Sequence, residues 1–168
     1  MPDVVILMGS LADREHASKI AEACAEFGLS VEQHVASAHK SPHHLLDLLA
    51  AYEAHQQPVV YITVAGRSNA LSGMVDANVS APVIACPPIS SAFGGADIYS
   101  SLRMPSGVAP LVVLEASGAA LAAAKLLGLA DPTLRKRVAD YHASLTRQII
   151  DDDRALGAET AAQTERQK

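Results

Sequence analysis

Short stretches of apolar residues recur along this chain, and each is followed by a segment whose apolar residues are spaced as on one face of a helix. A short continuous apolar run is typical of a strand that is buried on both faces of a parallel sheet. Strands are predicted at residues 4–8, 31–36, 59–64, 83–86 and 111–114. Regular alternation of strands and helices predicts a three-layer αβα fold with a doubly wound parallel sheet.

The helical segments complete one domain of flavodoxin-like or Rossmann-like type with a C-terminal helical extension. Helices are predicted at residues 13–27, 42–52, 71–79, 118–127 and 132–150, and residues 87–110 are expected to be rich in loops. We expect an α/β domain over residues 1–130, a helix over 131–156 and a polar, frayed tail over 157–168. The closing helix has a full apolar stripe but few partners in so small a domain. We therefore expect it to pack on a neighbouring subunit.

Polar loops that contain glycine or serine follow the first three predicted strands. They cover residues 8–13, 37–42 and 65–73. Open α/β sheets bind their ligands at the carboxyl ends of the strands. The three loops therefore predict one shared pocket and a protein that acts on a small molecule.

Composition excludes several kinds of partner. The formal net charge is −5, whereas nucleic-acid binding depends on a basic surface. No apolar run approaches a membrane span, and the first ten residues lack a signal-peptide pattern. Cys24 and Cys86 are far apart, which is typical of a reducing compartment. We expect a cytoplasmic protein that binds neither nucleic acid nor membranes and meets an anionic substrate with a local positive site.

His39 is the main candidate for acid–base chemistry, because an imidazole exchanges protons near neutral pH. The alternative is a loop histidine that is hydrogen-bonded to the backbone. A metal site is not expected, because Pro42 interrupts the helical face that His39 and His43 would share and no Cys or carboxylate cluster supports zinc. The remaining histidines are interpreted as solvated or packing residues.

Two of the loops offer groups that suit phosphate or ribose. Gly9 allows close backbone approach, and Ser10 and Asp13 lie at a helix start whose N–H groups favour an anion. The alternative for Ser10 or Asp13 is a simple helix cap. The Lys40 ammonium and the Ser37 hydroxyl together suit a phosphate, unless Lys40 is merely solvated.

The third loop can line the floor beneath a planar ring with its backbone groups. Ser68 in this loop is not expected to be a hydrolase nucleophile, because the G-x-S-x-G pattern is missing. For the neighbouring Arg67, the alternative to a role in the pocket is an ion pair that stabilises the fold.

These segments together resemble the PurE family of purine biosynthesis, which places a carboxylate on 5-aminoimidazole ribonucleotide (AIR). The matching stretches are MGSLAD at 8–13, SAHK at 37–40, AGRSNALSG at 65–73, ACPP at 85–88 and GADIYSSLRMPSG at 95–107. They occur in the family's order and cover most of the domain, so the resemblance is specific. It implies an AIR carboxylase that forms homo-octamers, with AIR and CO2 as substrates and no biotin, metal or ATP.

The family has two classes, and two loops distinguish them. The class that rearranges N5-carboxy-AIR typically carries SAHR and AGGAAHLPG. Here Lys40 replaces the arginine, and residues 67–70 replace the stretch that holds a second histidine. The resemblance therefore favours the class that uses CO2 directly, with the N5-carboxy-AIR mutase as the alternative. Further alternatives are a non-catalytic nucleotide-binding module and carboxylation of another heterocycle.

The resemblance also implies roles for individual residues. His39 would be the proton shuttle at C4 of the imidazole. The substrate-binding residues would be Ser10 and Asp13 for the phosphate and ribose end, Ser37 and Lys40 for the phosphate, and Gly66 and Ser68 for the aminoimidazole end.

Overall fold

Five parallel strands form the central sheet in the order β2-β1-β3-β4-β5. The computed structural model describes residues 2–90 and 93–166. The strands are β1 (Val4–Met8), β2 (Val31–Val35), β3 (Val60–Val64), β4 (Val83–Ala85) and β5 (Leu111–Val112). In the middle of the sheet Val4 pairs with Val31 on one side and with Val60 on the other. The order reverses between β1 and β3, so the crevice for a ligand is expected at their carboxyl ends.

Helices connect the strands and cover both faces of the sheet. They are α1 (Arg14–Glu26), α2 (Pro42–Glu53), α3 (Ala70–Asp76), α4 (Tyr99–Leu102), α5 (Ala116–Leu127) and α6 (Pro132–Arg166). Two 3₁₀ turns, Leu11–Asp13 and Ala96–Ile98, precede α1 and α4. Pro42 occupies the first turn of α2, where its missing N–H costs no helical hydrogen bond.

The two faces of the sheet contribute to two separate hydrophobic cores. Val4 and Ile6 of β1 are buried beneath α1 and α5, whereas Val5 and Leu7 are buried beneath α2 and α3. Successive side chains of β1 point to opposite faces of the sheet, so this one strand contributes to both cores. This explains why the apolar run of β1 contains no polar residue. Burial of each side chain of this size stabilises the folded state by roughly 1.5–3 kcal/mol. The predicted three-layer, doubly wound fold is confirmed.

The alanine-rich helix α5 packs closely on its neighbours. Four of its alanines are fully buried in the core between α1, α5 and the sheet: Ala119, Ala120, Ala123 and Ala124. Because alanine has no atoms beyond Cβ, the helix axis can lie near both α1 and the sheet. The small side chains therefore set the thickness of this layer.

Helix α6 extends further than the sequence predicts. The expected helix ended at residue 150 and the expected tail began at 157, but the helix continues to Arg166. The segment is rich in Ala, Glu, Gln and Arg and contains no proline after Pro132, and these good helix formers favour continuation. Residues 167–168 of the predicted tail lie outside the described part of the chain.

Over residues 132–160 of α6, it is the beginning of the helix that packs on its own domain. Leu134 and Val138 are buried, Tyr141 meets Phe27 edge to face at 5.2 Å between ring centroids, and the Arg137 guanidinium donates to the Phe27 carbonyl at 2.9 Å. Residues 142–160 are all exposed. In the described part of the chain, no helix has the combination of length and hydrophobicity needed to span a membrane.

The described part of the segment between β4 and β5 is rich in loops, as expected, but it also holds short helical pieces. It contains the 3₁₀ turn Ala96–Ile98 and the short helix α4, and β5 is reduced to two residues. Such short helices have little intrinsic stability and depend on tertiary contacts. Two hydrogen bonds to the loop after β3 supply those contacts here: Asp97 accepts from the Arg67 N–H, and Ser100 Oγ donates to the Arg67 carbonyl.

Candidate active site

A cavity of about 810 Å³ lies at the carboxyl ends of the strands. The loops after β1, β2, β3 and β4 all line it, so the expectation of one pocket shared by the first three loops is met. All the residues that were predicted to have a catalytic or substrate-binding role line this cavity: Ser10, Asp13, Ser37, His39, Lys40, Gly66 and Ser68. Their roles are not tested by this placement and stay predictions.

Ser10 and Asp13 form a capping box at the 3₁₀ turn that precedes α1, and both residues line the cavity. Ser10 Oγ accepts from the Ala12 N–H at 3.2 Å, and the Asp13 carboxylate accepts from the Ser10 N–H at 3.0 Å. This reciprocal capping box satisfies donors that the start of a helix leaves free. The cap interpretation therefore holds for Ser10, whereas the Asp13 side chain makes no cap hydrogen bond to α1 itself. The box fixes both polar side chains at the cavity wall.

Gly9 lies where two strand ends come close together. A Cβ atom at this position would lie 3.3 Å from Ala65 Cβ, and the Gly9 N–H donates to the Val64 carbonyl at 2.9 Å. A larger residue would separate the loops after β1 and β3. The glycine therefore keeps two walls of the cavity together.

The loop after β2 is closed on itself by two serines. The Ser37 N–H donates to Ser41 Oγ at 2.9 Å, and Ser37 Oγ accepts from the Lys40 N–H at 3.2 Å. This local closure orders the backbone of His39 and Lys40 while both residues stay exposed. The Lys40 ammonium forms no ion pair with the side chains of residues 2–90 and 93–160, so among these residues no carboxylate competes with a ligand for its charge.

Arg67, in the loop after β3, has a left-handed backbone with φ of 57°. Two hydrogen bonds hold it there: its N–H donates to Asp97 Oδ2 at 3.1 Å, and its carbonyl accepts from Ser100 Oγ at 2.8 Å. The structural ion pair considered for Arg67 is not found among the described residues. Its backbone, and not its guanidinium, is bound to the rest of the fold.

A buried polar network supports this loop from below. Asn69 is 4% exposed and caps α3 by accepting from the Ser72 N–H at 3.2 Å. Asn69 Nδ2 also donates to Ser72 Oγ at 2.7 Å and to Ser101 Oγ at 2.9 Å. Ser72 Oγ in turn lies 2.7 Å from Thr63 Oγ1 on β3. The network joins the sheet, α3 and α4, and it fixes where the loop leaves the strand.

Sequence reasoning missed several residues that line the cavity. Arg67 was used to assign the class but was not predicted to bind substrate, and Pro88, Ile89 and Ser90 after β4 were assigned no role in the site. The ACPP stretch at 85–88 includes Pro88 and was the available signal for this loop. The Asn69 network also had a signal, since an asparagine at the start of a helix favours a cap.

The remaining histidines lie outside the cavity. His16 Nε2 is 3.3 Å from Cys86 Sγ, and burial lowers the pKa of the His16 imidazole. Burial raises the pKa of the Cys86 thiol to about 12, so this thiol stays protonated at neutral pH. No group of three or more His, Cys, Asp or Glu side chains in the described ranges is arranged to hold a metal ion.

Comparison with known proteins gives a consistent family. The model of the AIR carboxylase family matches residues 3–148. The phosphoribosylaminoimidazole carboxylase of Archaeoglobus fulgidus is 53% identical over 152 residues, which cover 90% of this chain and 83% of the relative. The enzyme of the same name from Treponema denticola is 51% identical over 155 residues, which cover 92% of this chain and 98% of that relative.

The fold is shared with a solved structure. The crystal structure of Treponema denticola PurE matches with a TM-score of 0.88 at 51% identity, and the match covers 89% of this chain and 95% of that one. The rat bifunctional phosphoribosylaminoimidazole carboxylase/phosphoribosylaminoimidazole succinocarboxamide synthetase is 46% identical over 126 residues, which are 75% of this chain and 30% of the rat protein. Because the family model matches nearly the whole α/β domain and the bacterial and archaeal relatives match almost end to end, this chain belongs to the AIR carboxylase family.

Proposed function

We propose that this protein joins CO2 to C4 of 5-aminoimidazole ribonucleotide and so forms 4-carboxy-AIR reversibly. The observation that carries the proposal is the single cavity that gathers His39, Lys40 and the Ser10 and Ser68 loops from separate strand ends. A proton-transfer group, a free cation and hydroxyl donors are what a phosphorylated heterocycle would need. The names of the bacterial and archaeal relatives support the same activity.

The nucleotide is oriented by charge. The chain has a net charge of −5, so an anionic substrate depends on local cations and not on the field of the whole protein. The unpaired Lys40 ammonium, beside the Ser37 hydroxyl, suits the phosphate. Ser10 and Asp13, in the loop after the neighbouring strand β1, suit the phosphate and ribose end, and Gly66 and Ser68 suit the aminoimidazole.

The reaction needs no activated carboxyl donor, because the amino group of AIR makes C4 an enamine carbon. C4 forms a bond to the carbon of CO2, and one C=O electron pair moves to oxygen to give a carboxylate. The C4 proton then leaves to a base, and its C–H electron pair restores the aromatic ring. AIR and CO2 therefore give carboxy-AIR and one proton. We accordingly propose that no biotin, metal or ATP takes part.

His39 would take the C4 proton in this direction and return it in the reverse direction. It is exposed to the cavity, and the closed loop between Ser37 and Ser41 fixes its backbone. A positioned general base contributes typically about 10²–10⁴-fold to a rate. His39 is the one histidine among the residues that line the described cavity, which supports this assignment.

Self-association is part of the proposal, with the octamer as the form that the family resemblance implies. The exposed end of α6 carries large apolar residues that have no cover in a single chain, among them Ile149 and Leu156 at 69% and 63% exposure. A second copy of the chain would bury such a stripe.

A cytoplasmic location is also proposed. It is supported by the two buried cysteines, both of which are free thiols, as is typical of a reducing compartment.

The test is a paired assay with the purified protein. One reaction contains AIR and CO2 in equilibrium with bicarbonate, and the other contains freshly prepared N5-carboxy-AIR; both are followed for carboxy-AIR. We expect turnover from AIR and CO2, with N5-carboxy-AIR no better than the AIR it decomposes to. Preferential use of N5-carboxy-AIR would make the protein a mutase. Absence of turnover in both reactions, with binding of AIR retained, would favour a nucleotide-binding module.

A further inference from the structure

The cavity contains two cations on two different loops. Lys40 lies in the loop after β2 and Arg67 in the loop after β3. Among the described side chains, those of residues 2–90 and 93–160, neither cation forms an ion pair. AIR has one anionic group, its phosphate, whereas carboxy-AIR has a second, the new carboxylate. The proposed function uses only one of the two cations and leaves Arg67 without an assigned partner.

The backbone at Arg67 is fixed in a way that a surface arginine does not need. A left-handed φ of 57° is disfavoured for any residue with a Cβ, and such conformations persist only where the surroundings hold them. Asp97 and Ser100 bind the N–H and the carbonyl of this one residue at 3.1 and 2.8 Å. Both backbone groups are thus occupied, and Arg67 is an exposed residue that lines the cavity.

We propose that Arg67 binds the carboxylate that forms at C4. This role rests on the proposed function, since it requires carboxy-AIR as product. Arg67 lies between Gly66 and Ser68, the residues placed at the heterocycle, and its planar fork matches the two oxygens of a carboxylate. CO2 is neutral and gains its charge as the C–C bond forms. An interaction that strengthens along this path stabilises the transition state and the product more than AIR.

The test compares the binding of AIR and of carboxy-AIR to the same variants. Arg67→Met removes the charge at similar length, and Arg67→Lys keeps the charge but loses the fork. Isothermal titration calorimetry would give both dissociation constants at one pH and ionic strength. For Arg67→Met we expect carboxy-AIR to bind about 10- to 100-fold more weakly, the range for loss of a charged hydrogen bond, with AIR changed by less than about 3-fold. Arg67→Lys should fall between wild type and Arg67→Met.

Lys125→Met is the matched control for net charge. Lys125 is exposed in the last turn of α5, at the opposite edge of the sheet from the cavity. This variant loses the same single charge and should bind both nucleotides as the wild type does. Arg67→Gly, which tolerates the left-handed backbone, controls for folding and should repeat the loss of carboxy-AIR affinity.

Steady-state kinetics provides a second readout. Arg67→Met should lower kcat for carboxylation with little change in the KM for AIR, and it should raise the KM for carboxy-AIR in decarboxylation. Equal weakening of AIR and carboxy-AIR, or no weakening of either, would overturn the role of Arg67. Wild-type protein that binds AIR but does not carboxylate it would overturn the proposed function instead, so the two failures are distinguishable.

Discussion

Asp97 Oδ2 accepts a hydrogen bond from the Arg67 N–H at 3.1 Å, across 30 positions of sequence. The contact joins the short helical segment before β5 to the loop that follows β3. It also faces Gly66, where a Cβ atom would lie 3.7 Å from the same carboxylate oxygen. One side chain thus holds the part of the cavity wall that is proposed to face the heterocycle.

Asp97→Ala should therefore impair catalysis more than it impairs folding. Loss of one hydrogen bond should lower the free energy of unfolding by about 1 kcal/mol. A shift of the loop by about 1 Å should lower kcat/KM for AIR roughly 10- to 100-fold. Chemical denaturation and steady-state kinetics measure the two effects. Asp97→Asn, which retains an acceptor oxygen, should stay close to wild type; equal kinetics for Asp97→Ala and wild type would show that the loop needs no such support.

His39→Asn should cut turnover in both directions by about 10²-fold or more, because it removes the group that moves the C4 proton. The side chain is exposed, so neither folding nor nucleotide affinity should change greatly. Turnover measured at saturating AIR, beside the dissociation constant of AIR, separates the two effects. Near-normal turnover in His39→Asn would remove His39 from its role. His142→Asn is the matched control, since His142 is exposed on α6.

The sheet and its pocket could be predicted because local signals specified them. The apolar run of β1 has no polar position, and Gly9 and Ser10 end it abruptly, so the strand and the loop at its carboxyl end were both readable. The loop that contains Ser37 and Lys40 could be predicted in the same way, because it follows directly on a predicted strand. All the residues chosen from these loops line the cavity.

The support beneath the pocket could not be predicted, because it depends on contacts between distant segments. Asn69 meets Ser101 across 32 positions and Arg67 meets Asp97 across 30, and no periodicity marks such pairs. The short helix α4 was missed for the same reason, since four residues carry almost no helical signal by themselves. The extension of α6 was missed because a polar segment was taken for a frayed tail despite its high helix propensity.

Lys40→Ala should weaken the binding of AIR by roughly 1.5–3 kcal/mol, the range for a hydrogen bond to a charged group. The Lys40 ammonium has no ion pair in the described part of the chain, so its removal leaves no protein carboxylate uncompensated. Titration with AIR and with its dephosphorylated nucleoside gives the contribution of the phosphate. Wild type should prefer AIR strongly, and Lys40→Ala should lose most of that preference. Equal affinity of wild type for the two compounds would refute the phosphate contact.

His16 should make the fold sensitive to mild acid. Burial lowers the pKa of His16 in the folded state, the nearby Lys19 ammonium acts in the same direction, and Nε2 lies 3.3 Å from Cys86 Sγ. In the unfolded chain the imidazole titrates with a pKa of about 6.5. Above that pH the imidazole is neutral in both states, and its contribution to stability is fully present. As the pH falls toward the lowered folded pKa, the unfolded state binds more protons, so stability is lost.

Replacing His16 with Gln removes this titration while it keeps a polar Nε2 atom near Cys86. The free energy of unfolding of His16→Gln should therefore fall less than that of the wild type between about pH 7.5 and pH 5.5, the window around the unfolded pKa. Urea denaturation at several pH values measures the difference in slope. His55→Gln is the control, because His55 is exposed beyond the end of α2 and should leave the wild-type slope unchanged. A wild-type slope in His16→Gln would mean that other groups cause the acid sensitivity and that burial at His16 has no measurable cost.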